Sequence, residues 1–232
     1  MQKNIQNINP QTKDPLYLIV PGFMGNYTEG FIKKIYNFIL KKHWDVYGIQ
    51  FAGHGATDKY LANPKEMVSH LKQEYAKIKK MYPLKKIIII AHSQGCAITL
   101  KAHTSFKKNT QIILLAPAIF IAEIILPRID KNSIQLIKGG QEISCQVSKD
   151  KFRTLNKQWV TAYEKFDLTK SLSNIKQSCL IIRPTNDFIP QKNIHFLKKE
   201  INKNSVIELE GNHWFDEPLS SFDNLVSKIF KC

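Results

Sequence analysis

Three side chains in this 232-residue chain are of types that can act together as a reacting group, a base and an acid: Ser93, His213 and Asp187. Ser93 stands in Ala91-His92-Ser93-Gln94-Gly95, directly after the apolar run Ile87–Ile90. A serine between a buried strand and a small-residue helix, with Ala91 and Gly95 two places to either side, has the pattern of a nucleophile elbow. Such a turn forces an unfavourable backbone geometry on the serine. Neighbouring chain then passes close on both sides, so the flanking positions must be small. Taken alone, the five residues are also explained by a capping serine at an ordinary strand–helix junction.

An alcohol is a weak nucleophile at neutral pH and needs a base within hydrogen-bond reach. His213, in Glu210-Gly211-Asn212-His213, can take the proton and return it to a leaving group. Asp187, in Arg183-Pro184-Thr185-Asn186-Asp187, can orient the imidazole and stabilise its cation. Asp187 is otherwise explained as a turn former ahead of Pro190. Asp216 is the rival acid, but it shares the histidine's own loop. An attacked carbonyl becomes an oxyanion, and two backbone N–H groups are placed to bind it: Gln94 at the start of the helix, and Phe23 after Pro21-Gly22.

The elements must bring these residues to one place. Leu16–Val20, Asp45–Gln50, Ile87–Ile90, Gln111–Leu115, Ser178–Ile182 and Val206–Leu209 read as strands, mostly without alternation, as in a sheet covered on both faces. Helical spacing fills Tyr27–Lys41, the stretch up to Pro83 that Asn63 caps ahead of the first-turn Pro64, the residues from Gln94, then Gln191–Lys199 and Leu219–Phe230. Strands alternating with helices predict an α/β fold, a doubly wound, mostly parallel sheet of about six strands. Right-handed crossovers put all strand C-termini along one edge, and ligands of such sheets bind there. Phe23, Ser93, Asp187 and His213 all follow strands. Residues 1–14 read as a polar tail and 15–232 as a single domain. Between about 118 and 165 the alternation lapses; the segment includes an amphipathic stretch, Phe152–Tyr163, and an insertion of that length is expected to form a lid.

Composition narrows the function. The 34 lysines and arginines exceed the 19 acidic residues, for a net charge of +15, yet only Arg128, Arg153 and Arg183 are arginines. The lysines are scattered over every segment, with no aromatic–arginine interleaving, so no nucleic-acid partner is expected. Weak peripheral attraction to an anionic membrane is compatible with the charge. Cys96, Cys145, Cys179 and Cys232 lack the spacing of a metal or redox pair, and no metal or cofactor is expected. Free thiols inside apolar segments, a polar start without a signal-peptide core, and no run long enough to span a bilayer make the cytoplasm the expected address. Oligomeric state is not encoded in any motif.

The motifs Val20-Pro21-Gly22-Phe23-Met24-Gly25, Ala52-Gly53-His54-Gly55, Ala91–Gly95, Asn186-Asp187-Phe188-Ile189-Pro190 and Gly211–Pro218 together resemble the α/β-hydrolase family, from about Pro15 to Phe230. Gly22–Asn26 with the later Gly53-His54-Gly55 resembles its branch of small bacterial carboxylesterases and monoacylglycerol lipases. Pro21 and Ala91 depart from the histidine and glycine common at those places, and the family's two further N-terminal strands are not evident. The resemblance implies a serine hydrolase acting on a small acyl ester or monoacylglycerol-like lipid through an acyl-enzyme on Ser93. A thioesterase, a peptidase and a non-catalytic binding module remain open on the same scaffold. Met24, His54, Trp214 and Ile119 are candidate substrate contacts. His54 could equally order its loop, Trp214 and Phe215 could fill the core, and Ile119–Leu126 could pack inward or roof an acyl pocket.

Overall fold

The computed structural model describes residues 5–6, 8, 14–55, 60–148, 151–169 and 172–230. In chain order the elements are β1 (Ile5–Gln6), β2 (Leu16–Val20), α1 (Gly30–Lys41), β3 (Asp45–Gly48), α2 (Pro64–Met81), β4 (Ile87–His92), α3 (Gln94–Ala102) and β5 (Gln111–Leu115). There follow α4 (Ile121–Ile125), α5 (Lys131–Lys138), β6 (Ile143–Ser148), β7 (Lys151–Leu155), α6 (Lys157–Glu164), β8 (Ser178–Asn186), α7 (Lys192–Glu200), β9 (Asn204–Asn212) and α8 (Ser220–Ile229).

One sheet has the order β1-β3-β2-β4-β5-β8-β9. Its last six strands run parallel, in the doubly wound α/β arrangement expected from the sequence. The β-branched run of β4 lies at its centre, with Ile87, Ile89 and Ile90 buried, between β2 and β5. Fully burying each such side chain contributes roughly 1.5–3 kcal/mol. The two faces carry separate apolar clusters. One holds α2, α3 and the inserted segment, and the other holds α1 and α8. Asn63 caps α2 as expected: its side chain accepts from the N–H of Lys65 and Glu66, and Glu66 accepts from the N–H of Asn63. A cap of this kind is worth about 1 kcal/mol.

Three expectations need correction. The polar tail contains an edge strand, because Ile5–Gln6 pair antiparallel with β3. A strand of two residues is too short to show a period, and its reason for forming is the row of backbone groups that β3 leaves open on that side. The other residues of the expected tail, save Ile8 and Asp14, lie outside the described residues. Second, Phe152–Tyr163 is not one amphipathic stretch. It is divided between β7, in an antiparallel hairpin with β6, and α6, which Asn156 caps. Third, β8 and β9 run past their apolar cores to Asn186 and Asn212, because parallel pairing continues through polar residues.

At the sheet end away from Ser93, Lys85 and Asp45 form an ion pair with side chains 0% and 7% exposed, and Lys85 Nζ also donates to the Asp14 carbonyl at 3.4 Å. Removing one partner leaves the other charge buried. Lys85→Met should therefore lose about 3–5 kcal/mol in urea unfolding. Adding Asp45→Leu should return much of that loss. An unchanged midpoint in the single variant would show that the pair holds nothing together.

Candidate active site

The register of the sheet assembles the site. Asn186 of β8 is opposite Asn212 of β9, so the next residues, Asp187 and His213, leave the same edge side by side. Ser93 leaves that edge after β4, and its N–H donates to the Leu115 carbonyl at the end of β5 at 2.9 Å. The result is a continuous hydrogen-bonded chain. Nδ1–H of His213 donates to Asp187 Oδ1 at 2.7 Å, and Ser93 Oγ–H donates to His213 Nε2 at 3.0 Å. The polarity is fixed by chemistry: a carboxylate only accepts, so the proton sits on Nδ1 and Nε2 is free to receive one. The Asp187 side chain is 2% exposed and also accepts the Ile189 N–H at 2.9 Å. Asp216 is not the partner; its N–H is turned to Asn212 Oδ1.

Ser93 has φ 52° and ψ −124°, in the left-handed range that a non-glycine residue rarely adopts. Close packing forces it there. A Cβ on Gly95 would lie 2.5 Å from the Pro21 carbonyl oxygen and 2.7 Å from that of Val20. A Cβ on Gly22 would lie 3.0 Å from Cβ of Ser93. The turn after β2 is thus pressed directly onto the elbow, which brings the Phe23 segment beside Ser93 as Gln94 opens α3. Ala91, registered between Val20 and Leu114, is fully buried, so only a small side chain fits there.

Two residues that sequence reasoning passed over hold His213 in place. Nε2–H of His92 donates to the His213 carbonyl at 3.0 Å, and the two rings lie 4.9 Å apart. The Phe188 ring lies 4.3 Å from the imidazole. Phe188 was within reach of the sequence as the residue after Asp187. His92 is inside the elbow itself, where it read only as part of the motif.

Ser93 and His213 open into a cleft of about 340 Å³, with Phe23, Met24, Ile124, Ile125, Phe188 and Trp214 among its walls. Met24 and Trp214 are therefore at the cleft, while Phe215 is the one that fills the core. Ile119 is not at the cleft. The Ile119 N–H is held by Asn193 Oδ1 at 2.7 Å and the Ala118 N–H by the Ser93 carbonyl at 3.2 Å, which turns the Ile119 side chain into the core. From the stretch Ile119–Leu126, Ile124 and Ile125 line the cleft instead. His54 is not at the cleft either. It is 2% exposed behind the turn after β2, between Phe23 at 6.1 Å and Phe51 at 5.6 Å. A larger groove of about 1190 Å³ between α2 and α6 contains none of Ser93, Asp187 and His213.

The inserted segment is tied to the body at several points. Arg153 Nε donates to the Gly53 carbonyl at 2.8 Å, Lys151 pairs with Glu29 at 3.3 Å, and Gln94 Nε2 donates to the Tyr163 hydroxyl at 2.6 Å. Among the described residues, no three His, Cys, Asp or Glu side chains are grouped to hold a metal ion, and no helix is long and apolar enough to cross a membrane. Cys96, Cys145 and Cys179 are free and buried, while Cys232 lies outside the described residues.

Burial lowers the pKa of His92 to about 3, helped by the neighbouring His213, and that of His54 to about 4, helped less by Arg153 and Lys151. Both are neutral in the folded chain at neutral pH, whereas unfolded histidine titrates near 6.5. Below that pH the unfolded state binds the extra protons. Stability is therefore full above pH 6.5 and falls as pH drops toward the folded values, by about 1.4 kcal/mol per unit for each histidine. Urea midpoints between pH 6.5 and 4.5 should fall less steeply in His92→Asn than in the unaltered chain. Equal slopes would mean that His92 is not buried neutral.

A family model described as serine aminopeptidase, S33, matches residues 12–175, more than half of the chain. No curated protein sequence is similar enough to match. Among solved structures, Est1E from Butyrivibrio proteoclasticus, with ferulic acid bound, superposes with a TM-score of 0.73 at 16% identity, covering 98% of this chain and 92% of that one. Mouse alpha/beta hydrolase domain-containing protein 10 gives 0.70 at 16% identity, covering 98% and 92%. A monoacylglycerol lipase from Paleococcus ferrophilus gives 0.64 at 14% identity, covering 93% and 92%. At these identities the structures speak for the fold, and the family match joins them to the sequence: the chain belongs to the S33 family of α/β-hydrolases.

Proposed function

We propose that this protein is a serine hydrolase that cleaves carboxylic esters of short or medium acyl groups, with Ser93, His213 and Asp187 as its catalytic residues. The observation that carries the reading is the chain of hydrogen bonds from Asp187 through His213 to Ser93, ending at the cleft. In the first half-reaction Ser93 Oγ forms a bond to the acyl carbon while His213 takes the serine proton. The negative charge on the carbonyl oxygen is received by the N–H groups of Phe23 and Gln94, each worth about 3 kcal/mol in the transition state. His213 then gives its proton to the departing alcohol as the ester C–O bond breaks. In the second half, water deprotonated by His213 attacks the acyl-enzyme and releases the acid. Asp187 keeps the imidazole in the tautomer that both halves need.

Residues 118–165 act as a lid over this chemistry, with Ile124 and Ile125 presenting apolar surface to the acyl group. A cleft of about 340 Å³ is at the small end of ligand pockets, which supports a compact acyl ester over a long-chain lipid. The similarity to Est1E and to a monoacylglycerol lipase supports ester chemistry on this fold. The family description favours one further reading, hydrolysis of an amino-terminal peptide bond by the same three residues. The buried free thiols support a reducing compartment, the cytoplasm.

Initial rates on 4-nitrophenyl butyrate and on alanine 4-nitroanilide separate the two chemistries, and the account expects turnover of the ester. Ser93→Ala should lower kcat by roughly 10⁶-fold by removing the nucleophile, and Asp187→Asn by roughly 10⁴-fold by allowing the wrong tautomer. Ester turnover by Ser93→Ala at the original rate would refute the reading, and turnover of the anilide alone would replace it with the peptidase.

A further inference from the structure

We propose that the substrate carries an anionic group, a carboxylate or phosphate, on its leaving-group half, and that Arg128 binds it. The inference rests on the ester-hydrolase reading above and adds the class of ester. Arg128 belongs to the inserted segment, just after α4, and lines the same cleft as Ser93 and His213. Its guanidinium stands 5.5 Å from the centre of the Phe188 ring, which also lies 4.3 Å from the His213 imidazole. The cation is therefore one aromatic ring away from the base. His213 must sit beside the leaving oxygen in order to protonate it, which puts Arg128 on the leaving-group side of the cleft.

The carboxylates that could neutralise Arg128 are otherwise engaged. Glu29, also in the cleft, is paired with Lys151 at 3.3 Å. Glu123 on α4 is paired with Lys192, and Asp130 accepts the Ser133 N–H at the start of α5 at 2.8 Å. Among the described residues Arg128 has no ion pair. The contact with Phe188 uses none of the guanidinium N–H groups, so the planar fork remains available to a bidentate anion. The chain has three arginines in a background of 31 lysines, and this is the one placed in the cleft. The net charge of +15 draws an anionic substrate toward the protein before it reaches that site. The anion is held and not transformed: the bond broken remains the ester C–O, and the proton still passes from Ser93 through His213 to the departing oxygen.

Three esters test the inference on the full chain: phenyl butyrate, 3-carboxyphenyl butyrate, and monophenyl glutarate, which moves the carboxylate to the acyl side. The unaltered protein should favour 3-carboxyphenyl butyrate over phenyl butyrate in kcat/KM by about tenfold or more. Arg128→Gln should abolish that ratio, and Arg128→Lys should keep only part of it, because an ammonium retains charge without the fork. The ratio is internal to each variant, so a general loss of folded protein cancels, and the lysine variant serves if the glutamine variant does not fold. Equal ratios in the unaltered and Arg128→Gln proteins, or a preference attached to monophenyl glutarate instead, overturn the inference. If Ser93→Ala silences all three esters while the ratios do not respond to Arg128, this inference alone has failed. If Ser93→Ala still turns them over, the ester-hydrolase reading has failed and this one with it.

Discussion

The contact on which the site depends is the pressing of the turn after β2 against the start of α3. The Val20 and Pro21 carbonyls come so close to Gly95 that no side chain fits between them, and Gly22 lies as close to Ser93. This packing holds Ser93 at φ 52°, a conformation that ordinarily costs about 1–3 kcal/mol and that only a surrounding structure can maintain. The strain raises the hydroxyl above the sheet edge and brings the Phe23 turn beside the first N–H of α3. On the proposed reading a nucleophile and its oxyanion donors thus come from one packing event, and the burial of β4 at the centre of the sheet supplies the energy that keeps it.

The rest of the site follows from parallel register. In a parallel sheet every strand delivers its following loop to the same edge, so residues far apart in the chain meet without special contacts. Asp187 and His213 meet because β8 and β9 pair through Asn186 and Asn212. His92 and Phe188 then fix the imidazole from two directions. The opposite end of the sheet is used differently: the buried Lys85–Asp45 pair closes it, so charge there is structural and charge at the loop edge is available for chemistry.

Much of this was legible in the sequence because it rests on short, local signals. The β-branched run of β4, the small residues around Ser93, and the Asn63-Pro64 cap each report directly on backbone geometry. The order Ser93, Asp187, His213 could be read because strand ends carry positions in three dimensions. What could not be read depends on partners distant in sequence. The pairing of Ile5–Gln6 with β3 has too few residues to leave a pattern. In the hairpin inside the inserted segment, Ile143, Cys145 and Val147 alternate cleanly with Ser144, Gln146 and Ser148, but β7 hides the pairing by burying Arg153 and exposing Phe152. Ile119 and Ile124 are alike in type and close in sequence. The grip of Asn193, 74 residues on, together with the Ser93 carbonyl, turns the first inward and leaves the second to the cleft. The same reason hid Arg128, whose place is defined by Phe188 and not by its neighbours in the chain.

The central claim is that Ser93 is a serine made nucleophilic by His213. A fluorophosphonate phosphonylates such a serine and spares ordinary ones, so the direct measurement is to treat the folded protein with this reagent and locate the adduct by peptide mass spectrometry. The account predicts a single adduct, on Ser93, that disappears when His213 is replaced by alanine. Folded protein that takes up no reagent, or an adduct on Ser93 that forms equally fast without His213, would contradict it.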